Sequence, residues 1–203
     1  MMRKPIVIHI FFLIAAGLVY WQGIPTNGPD LVWNMILALV AYDLAYLARH
    51  LKKSWLLVPV LLAWLAFYPN TFYMITDLVH MSWVSQTLWN RASLKLFMAF
   101  VPSIWFGVLC GIESWNLVRE RLKLSWLWTY LSVPVLSFIS SLAIYIGRYD
   151  RLNSWDLLQQ PGEVYTRLLA SLQRERLLFI LGFTLIQMMC LLFMDQSEKN
   201  KKI

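Results

Sequence analysis

Six apolar stretches restrict what this chain can fold into more than any other feature: roughly residues 5 to 22, 30 to 48, 55 to 73, 94 to 117, 125 to 146 and 177 to 194. Crossing a bilayer core takes about 20 helical residues, and in hydrocarbon a helix satisfies its backbone groups internally. The spacing predicts an all-α fold, a polytopic membrane helix bundle of about six transmembrane helices. Composition agrees, since 59% of the residues are hydrophobic, 14% are charged and the mean hydropathy is +0.56. Tyr20 and Trp21 close the first stretch as an interfacial anchor. A cleaved signal peptide is the alternative there, but no small-x-small cleavage site follows. The expectation is a single transmembrane domain over residues 1–196 and a short basic cytoplasmic tail over 197–203.

The basic residues set the topology. The net charge of +7 is spread in short clusters between apolar runs, not along one face, which argues against nucleic acid. Arg3 and Lys4, then Arg49, Lys52 and Lys53, then Arg119, Arg121 and Lys123, then Lys199, Lys201 and Lys202 fall on one side of six spans. That side is expected to be cytoplasmic, with both termini inside a multi-pass protein of the cell membrane. Residues 22–29, 75–93 and 147–176 are then left outside, where Arg148, Arg151, Arg167, Arg174 and Arg176 oppose the rule. Cys110 and Cys190 lie in apolar runs and offer neither a disulfide framework nor a CxxC site.

Two outer stretches carry the polar chemistry. At Phe67-Tyr68-Pro69-Asn70, Pro69 is expected to kink or stop the third helix, and Asn70 to cap a new one. On that helix Asn70, Tyr73, Asp77 and His80 form one polar stripe, with Phe72, Ile75, Leu78 and Val79 opposite. In the second stretch, Arg148 and Arg151 share a helical face at the end of the fifth span, and Asn153 with Asp156 marks a helix start. Residues 163 to 176 should form a helix on the membrane surface, with Val164, Tyr165, Leu168, Leu169 and Leu172 on its apolar side. Gly107 and Gly111 form a GxxxG pair in the fourth span, suited to a close helix contact.

Pro69-Asn70 with Tyr73, Thr76-Asp77-Leu78 and His80, followed by Gly147-Arg148-Tyr149, Arg151 and Asn153-Ser154-Trp155-Asp156, resemble the signature segments of the bacterial membrane proteins grouped as domain of unknown function 1361. The resemblance covers most of the chain. It implies a multi-spanning membrane protein and carries over no catalytic residue.

Because both stretches fall on the outer face, they can meet in one site. Arg148 and Arg151 would form a cationic clamp, Asp77 or His80 an acid or base, and Asn70, Tyr73, Asn153 and Asp156 the supporting polar groups. An anionic lipid headgroup or lipid-linked cell-envelope precursor fits that chemistry. The opposing reading is that Asp77 and Asp156 merely neutralise the arginines in a non-enzymatic scaffold. A small proton-coupled transporter is a further alternative, for which Asp43 and Glu113 are the ionisable groups at membrane depth. Tyr42 or Tyr46 is the expected partner of Asp43, and water or Arg119 that of Glu113. No metal site is expected, since Asp77 and His80 are too few ligands without Asp150 or Asp156 and the nearby arginines disfavour a cation. No serine sits in a nucleophile turn. The residues point to the lipid bilayer as partner and to no particular cofactor or oligomeric state.

Overall fold

The computed structural model describes residues 3–22, 30–83, 90–152, 156–171 and 173–195, and every regular element among them is helical. In chain order these are α1 (Arg3–Gln22), α2 (Leu31–His50), α3 (Leu57–Phe67), α4 (Pro69–Tyr73), α5 (Arg91–Leu122), α6 (Trp126–Tyr145), α7 (Asp156–Gln159), α8 (Pro161–Ser171) and α9 (Arg174–Phe193). A 3-10 turn, Ser54–Leu56, leads into α3; a 3-10 helix, Met74–Trp83, continues α4; a π turn, Ile146–Asp150, ends α6. Six segments among the described residues are long and apolar enough to cross a membrane: Lys4–Trp21, Leu31–His50, Ser54–Val79, Arg91–Leu122, Trp126–Asp150 and Arg176–Phe193. The all-α bundle read from the apolar runs is the fold observed.

The centre of the bundle is the pairing of α2 with α5. Asp30 starts α2 by accepting from the Trp33 amide at 2.9 Å, which satisfies one of the orphan donors of the first turn. Ala38, Ala41, Ala45 and Ala48 are fully buried along α2, and side chains this small let the two backbones approach closely. Gly107 and Gly111 of α5 receive a different neighbour. A Cβ at Gly107 would lie 2.8 Å from the Thr71 carbonyl oxygen, and one at Gly111 2.5 Å from Thr71 Oγ1. The glycine pair is therefore the seat of α4, the segment that carries the first polar stretch. A second polar seam joins α6 to α9, where buried Gln187 donates from Nε2 to Ser141 Oγ at 2.8 Å and to the Ser137 carbonyl at 3.3 Å. Helix α1 packs on α5 through Phe12 and Phe106, and most of its other side chains remain exposed.

Ion pairs tie one end of the bundle together. Lys4 at the start of α1 meets Glu113 at 2.6 Å, Arg49 at the end of α2 meets Glu120 at 2.7 Å, and buried Arg119 pairs with Asp195 beyond α9. Arg121 donates to the carbonyls of Ala48 and Leu51 at 2.9 and 3.1 Å. The opposite end collects the start of α2, the 3-10 helix, the π turn and α8.

The expected surface helix differs in extent. It ends at Ser171, and Arg174 and Arg176 belong to α9, because Gln173 takes an extended conformation (φ −66°, ψ 147°) that breaks the helical run. Its inner face is Val164, Leu168 and Ser171, whereas Tyr165 and Leu169 point outward. Leu172 lies outside the described residues.

Candidate functional site

Pro69 organises the first stretch: α3 stops at Phe67 as expected, and the capping by Asn70 differs from the expectation. Tyr68 closes α3 by donating to the Trp64 carbonyl at 2.7 Å, and Pro69 begins α4 at the first helical position, where its missing amide hydrogen costs nothing. The Thr71 amide turns to the Tyr68 carbonyl at 3.1 Å, which leaves the Phe67 carbonyl without its helical donor. Asn70 Nδ2 donates to it at 3.0 Å. Asn70 thus caps backward into α3, where an N-cap accepting from the amides ahead was expected.

Beyond Tyr73 the helix tightens. Thr76 Oγ1 donates to the Tyr73 carbonyl at 2.7 Å, and the segment runs on as a 3-10 helix with three residues per turn. The change of period redirects the stripe: Met74 and Asp77 now share the inward face, both 0% exposed, while Leu78 and Val79 face outward at 46% and 60%. The carboxylate that an α-helical period places on a polar face is instead inside the bundle.

Two spans supply its partners. Arg148 Nη1 donates to Asp77 Oδ1 at 3.2 Å, and Asn34 Nδ2, from the first turn of α2, donates to Asp77 Oδ2 at 3.0 Å. Both carboxylate oxygens are held, and the second, third and fifth spans are clamped together at one point. Arg148 reaches Asp77 from the π turn, whose Gly147 packs against Tyr73: a Cβ there would lie 3.6 Å from Tyr73 Cε2 and 3.4 Å from the Leu152 carbonyl oxygen. The turn is also fastened to α8, since Arg167 pairs with Asp150 at 3.4 Å and with Glu163 at 3.6 Å.

Beside this clamp lies a cavity of about 610 Å³ between α2, α3, α4, α6 and α8. Asn34, Asn70 and Tyr73 give its wall three polar groups; Leu65, Leu142 and Ile144 are among its apolar ones; Val164 and Leu168 of α8 cover one side. Trp33, Leu62 and Ile139 line it too and are 48%, 63% and 45% exposed, so the cavity opens on the outer surface of the bundle at the level of the spans. Its size falls within the range of about 300–1,000 Å³ that holds a small organic ligand.

The sequence-derived residues therefore divide. Asn70 and Tyr73 line the cavity, and Asp77 and Arg148 pair behind its wall with Asn34 shared between the two. Arg151 takes a left-handed conformation (φ 57°) after the π turn, is exposed, and makes no ion pair among the described residues, so the two arginines do not share one face as expected. The π turn adds a residue to the helical repeat and the left-handed Arg151 ends it, which separates them. Asp156 opens α7 and does not line the cavity. Asn153 and the side chain of His80 lie outside the described residues. Asn34 is the participant the sequence reading missed; its signal was an amide inside the second apolar run.

The membrane-depth acids also find other partners than expected. Asp43 pairs with His9 at 3.5 Å instead of a tyrosine, and Glu113 with Lys4 instead of Arg119. Among the described residues no group of three or more His, Cys, Asp or Glu side chains is arranged to hold a metal ion.

No curated protein and no solved structure matches the chain. A family model does match, over residues 33–190, which span both polar stretches, the cavity wall and Asn34. The chain belongs to the family described as protein of unknown function DUF1361.

Proposed function

We propose that this multi-pass protein resides in the cell membrane and holds a lipid or lipid-linked cell-envelope precursor at its outer side. The hydrocarbon part enters the lateral cavity, and the anionic headgroup meets Arg151, which is exposed just beyond the fifth span. The observation that carries this reading is the cavity itself: both polar stretches wall it, its lining is mainly apolar, and it opens on the side of helices long and apolar enough to cross a membrane. Positive residues clustered at the Lys4 and Arg49 end support a cytoplasmic location for that end and for both termini. The cavity then faces the outer leaflet.

Within this reading Asp77 acts as a positioning residue. It is fully buried and touches Asn34 and Arg148 instead of the cavity, so acid or base chemistry at Asp77 requires Asn34 to move first. The scaffold reading draws support from the same closed pair. Arg151→Gln separates the two, because Arg151 is exposed and holds no ion pair among the described residues. The site reading expects loss of bound anionic lipid at normal abundance; a scaffold expects no change.

The test is mass spectrometry of the lipids that remain with the purified protein. Leu65→Trp fills the cavity and should deplete a lipid-linked species while the unfolding midpoint holds or rises. An identical set of lipids on wild type and Leu65→Trp overturns the proposal.

A further inference from the structure

At the opposite end of the bundle a second cavity, of about 410 Å³, lies between α1, α2 and α5. Its lining carries both signs of charge: Lys4 and Arg49 against Glu113 and Glu120. The cations pair with the acids across it, Lys4 with Glu113 at 2.6 Å and Arg49 with Glu120 at 2.7 Å. Apart from His50, which also lines the cavity, the wall balances two formal positive charges against two negative ones. Neither pair is sealed away, since the four side chains are 56%, 20%, 28% and 31% exposed in that order of pairing.

A further group on this wall lacks a partner among the described residues. Asn116 is 8% exposed, lines the cavity, and its Nδ2 finds no acceptor among the described residues. A buried amide donor left unpaired costs about 1–3 kcal/mol, so a built site that presents one calls for an acceptor beyond the described residues. Tyr42 and Tyr46 complete the wall with aromatic rings, surfaces that attract an ammonium group. Depth fits as well. Lys4 and Arg49 stand at helix ends, and α5, at 32 residues, is about 48 Å long against a bilayer core of about 30 Å, so its charged end reaches the headgroup layer.

We infer that this cavity binds a zwitterion, an amine and a phosphate or carboxylate in one molecule. The anionic end takes Asn116 Nδ2 and the cations, and the ammonium takes Glu113 and Glu120, so each protein pair is exchanged for a pair with the ligand and no charge is left uncompensated. The shared chemistry is that of phosphoethanolamine, whose source is either a lipid headgroup or a free solute. This site is at the other end of the bundle from the cavity of the proposed function and shares none of its lining, so it stands or falls separately.

The experiment uses the full chain in nanodiscs of phosphatidylethanolamine or phosphatidylglycerol, with retained lipid read by native mass spectrometry, and free glycerophosphoethanolamine as competitor. Preferential retention of phosphatidylethanolamine supports the site with a lipid source; binding of the free headgroup supports it with a soluble one. Asn116→Leu keeps the side-chain size and removes the donor, and Glu113→Gln removes one acid; each should weaken retention about tenfold. Because Glu113→Gln also removes the ion pair with Lys4 of α1, Asn116→Leu, which removes neither ion pair, is the decisive variant. Equal retention of both lipids with no binding of the free headgroup overturns the inference, as does wild-type retention by Asn116→Leu.

Discussion

Replacing Arg148 with methionine keeps an unbranched side chain in place while removing the guanidinium that faces Asp77 at 3.2 Å. The Asp77 side chain is 0% exposed and, among the described residues, would keep the Asn34 amide alone as a hydrogen-bonding side-chain partner. Deleting one member of a buried ion pair costs about 3–5 kcal/mol, since the remaining charge stays desolvated. The Arg148 side chain is 19% exposed and partly screened, which places the expected loss near the lower end, about 3 kcal/mol or a hundredfold in the folding equilibrium. Asp77→Asn should cost less, about 1.5 kcal/mol, because the partly exposed guanidinium can still find water. In the double variant both charges are gone, and its loss should fall short of the sum of the singles by about 1.5 kcal/mol or more. Equilibrium unfolding in detergent, followed by tryptophan fluorescence, measures all three. A loss below about 1 kcal/mol for Arg148→Met, or strict additivity in the double variant, refutes the clamp as the fastening of these three spans.

Gly111→Val places branched methyls where even a Cβ would stand 2.5 Å from Thr71 Oγ1 and 2.7 Å from Phe72 Cε2, so thermal unfolding should show a loss of about 1–3 kcal/mol. Asn34→Leu leaves Asp77 Oδ2 without its donor and should cost about 1–3 kcal/mol in the same assay, whereas a wild-type midpoint would show that the amide is dispensable. Gln187→Leu removes two hydrogen bonds to α6 but also a buried carbonyl oxygen that has no donor among the described residues; the net change should stay within about 1 kcal/mol. For topology, Ser82→Cys and Ser125→Cys in a background without Cys110 and Cys190 should react with an impermeant thiol reagent from opposite sides, and reaction of both from one side ends the six-span arrangement.

The number of helices long and apolar enough to cross a membrane was legible in the sequence because a bilayer core imposes a length of about 20 apolar residues, a constraint that needs no tertiary information. The same logic located the two polar stretches and set them at one end of the bundle. Azimuth was not legible. Which side of a span a residue occupies follows from the helical period, and the period itself changes here: Thr71 and Thr76 bond back to carbonyls three residues earlier, and the 3-10 helix that follows turns Asp77 inward beside Met74. The π turn likewise carries Arg148 to Asp77 and leaves Arg151 outside. Asn34, His9 and Lys4 became partners of Asp77, Asp43 and Glu113 only because packing around Ala38, Ala45, Gly107 and Gly111 fixed which helix faces met. Depth is a property of one segment in lipid and can be read residue by residue; contact is a property of two packed surfaces and exists only once the bundle has formed.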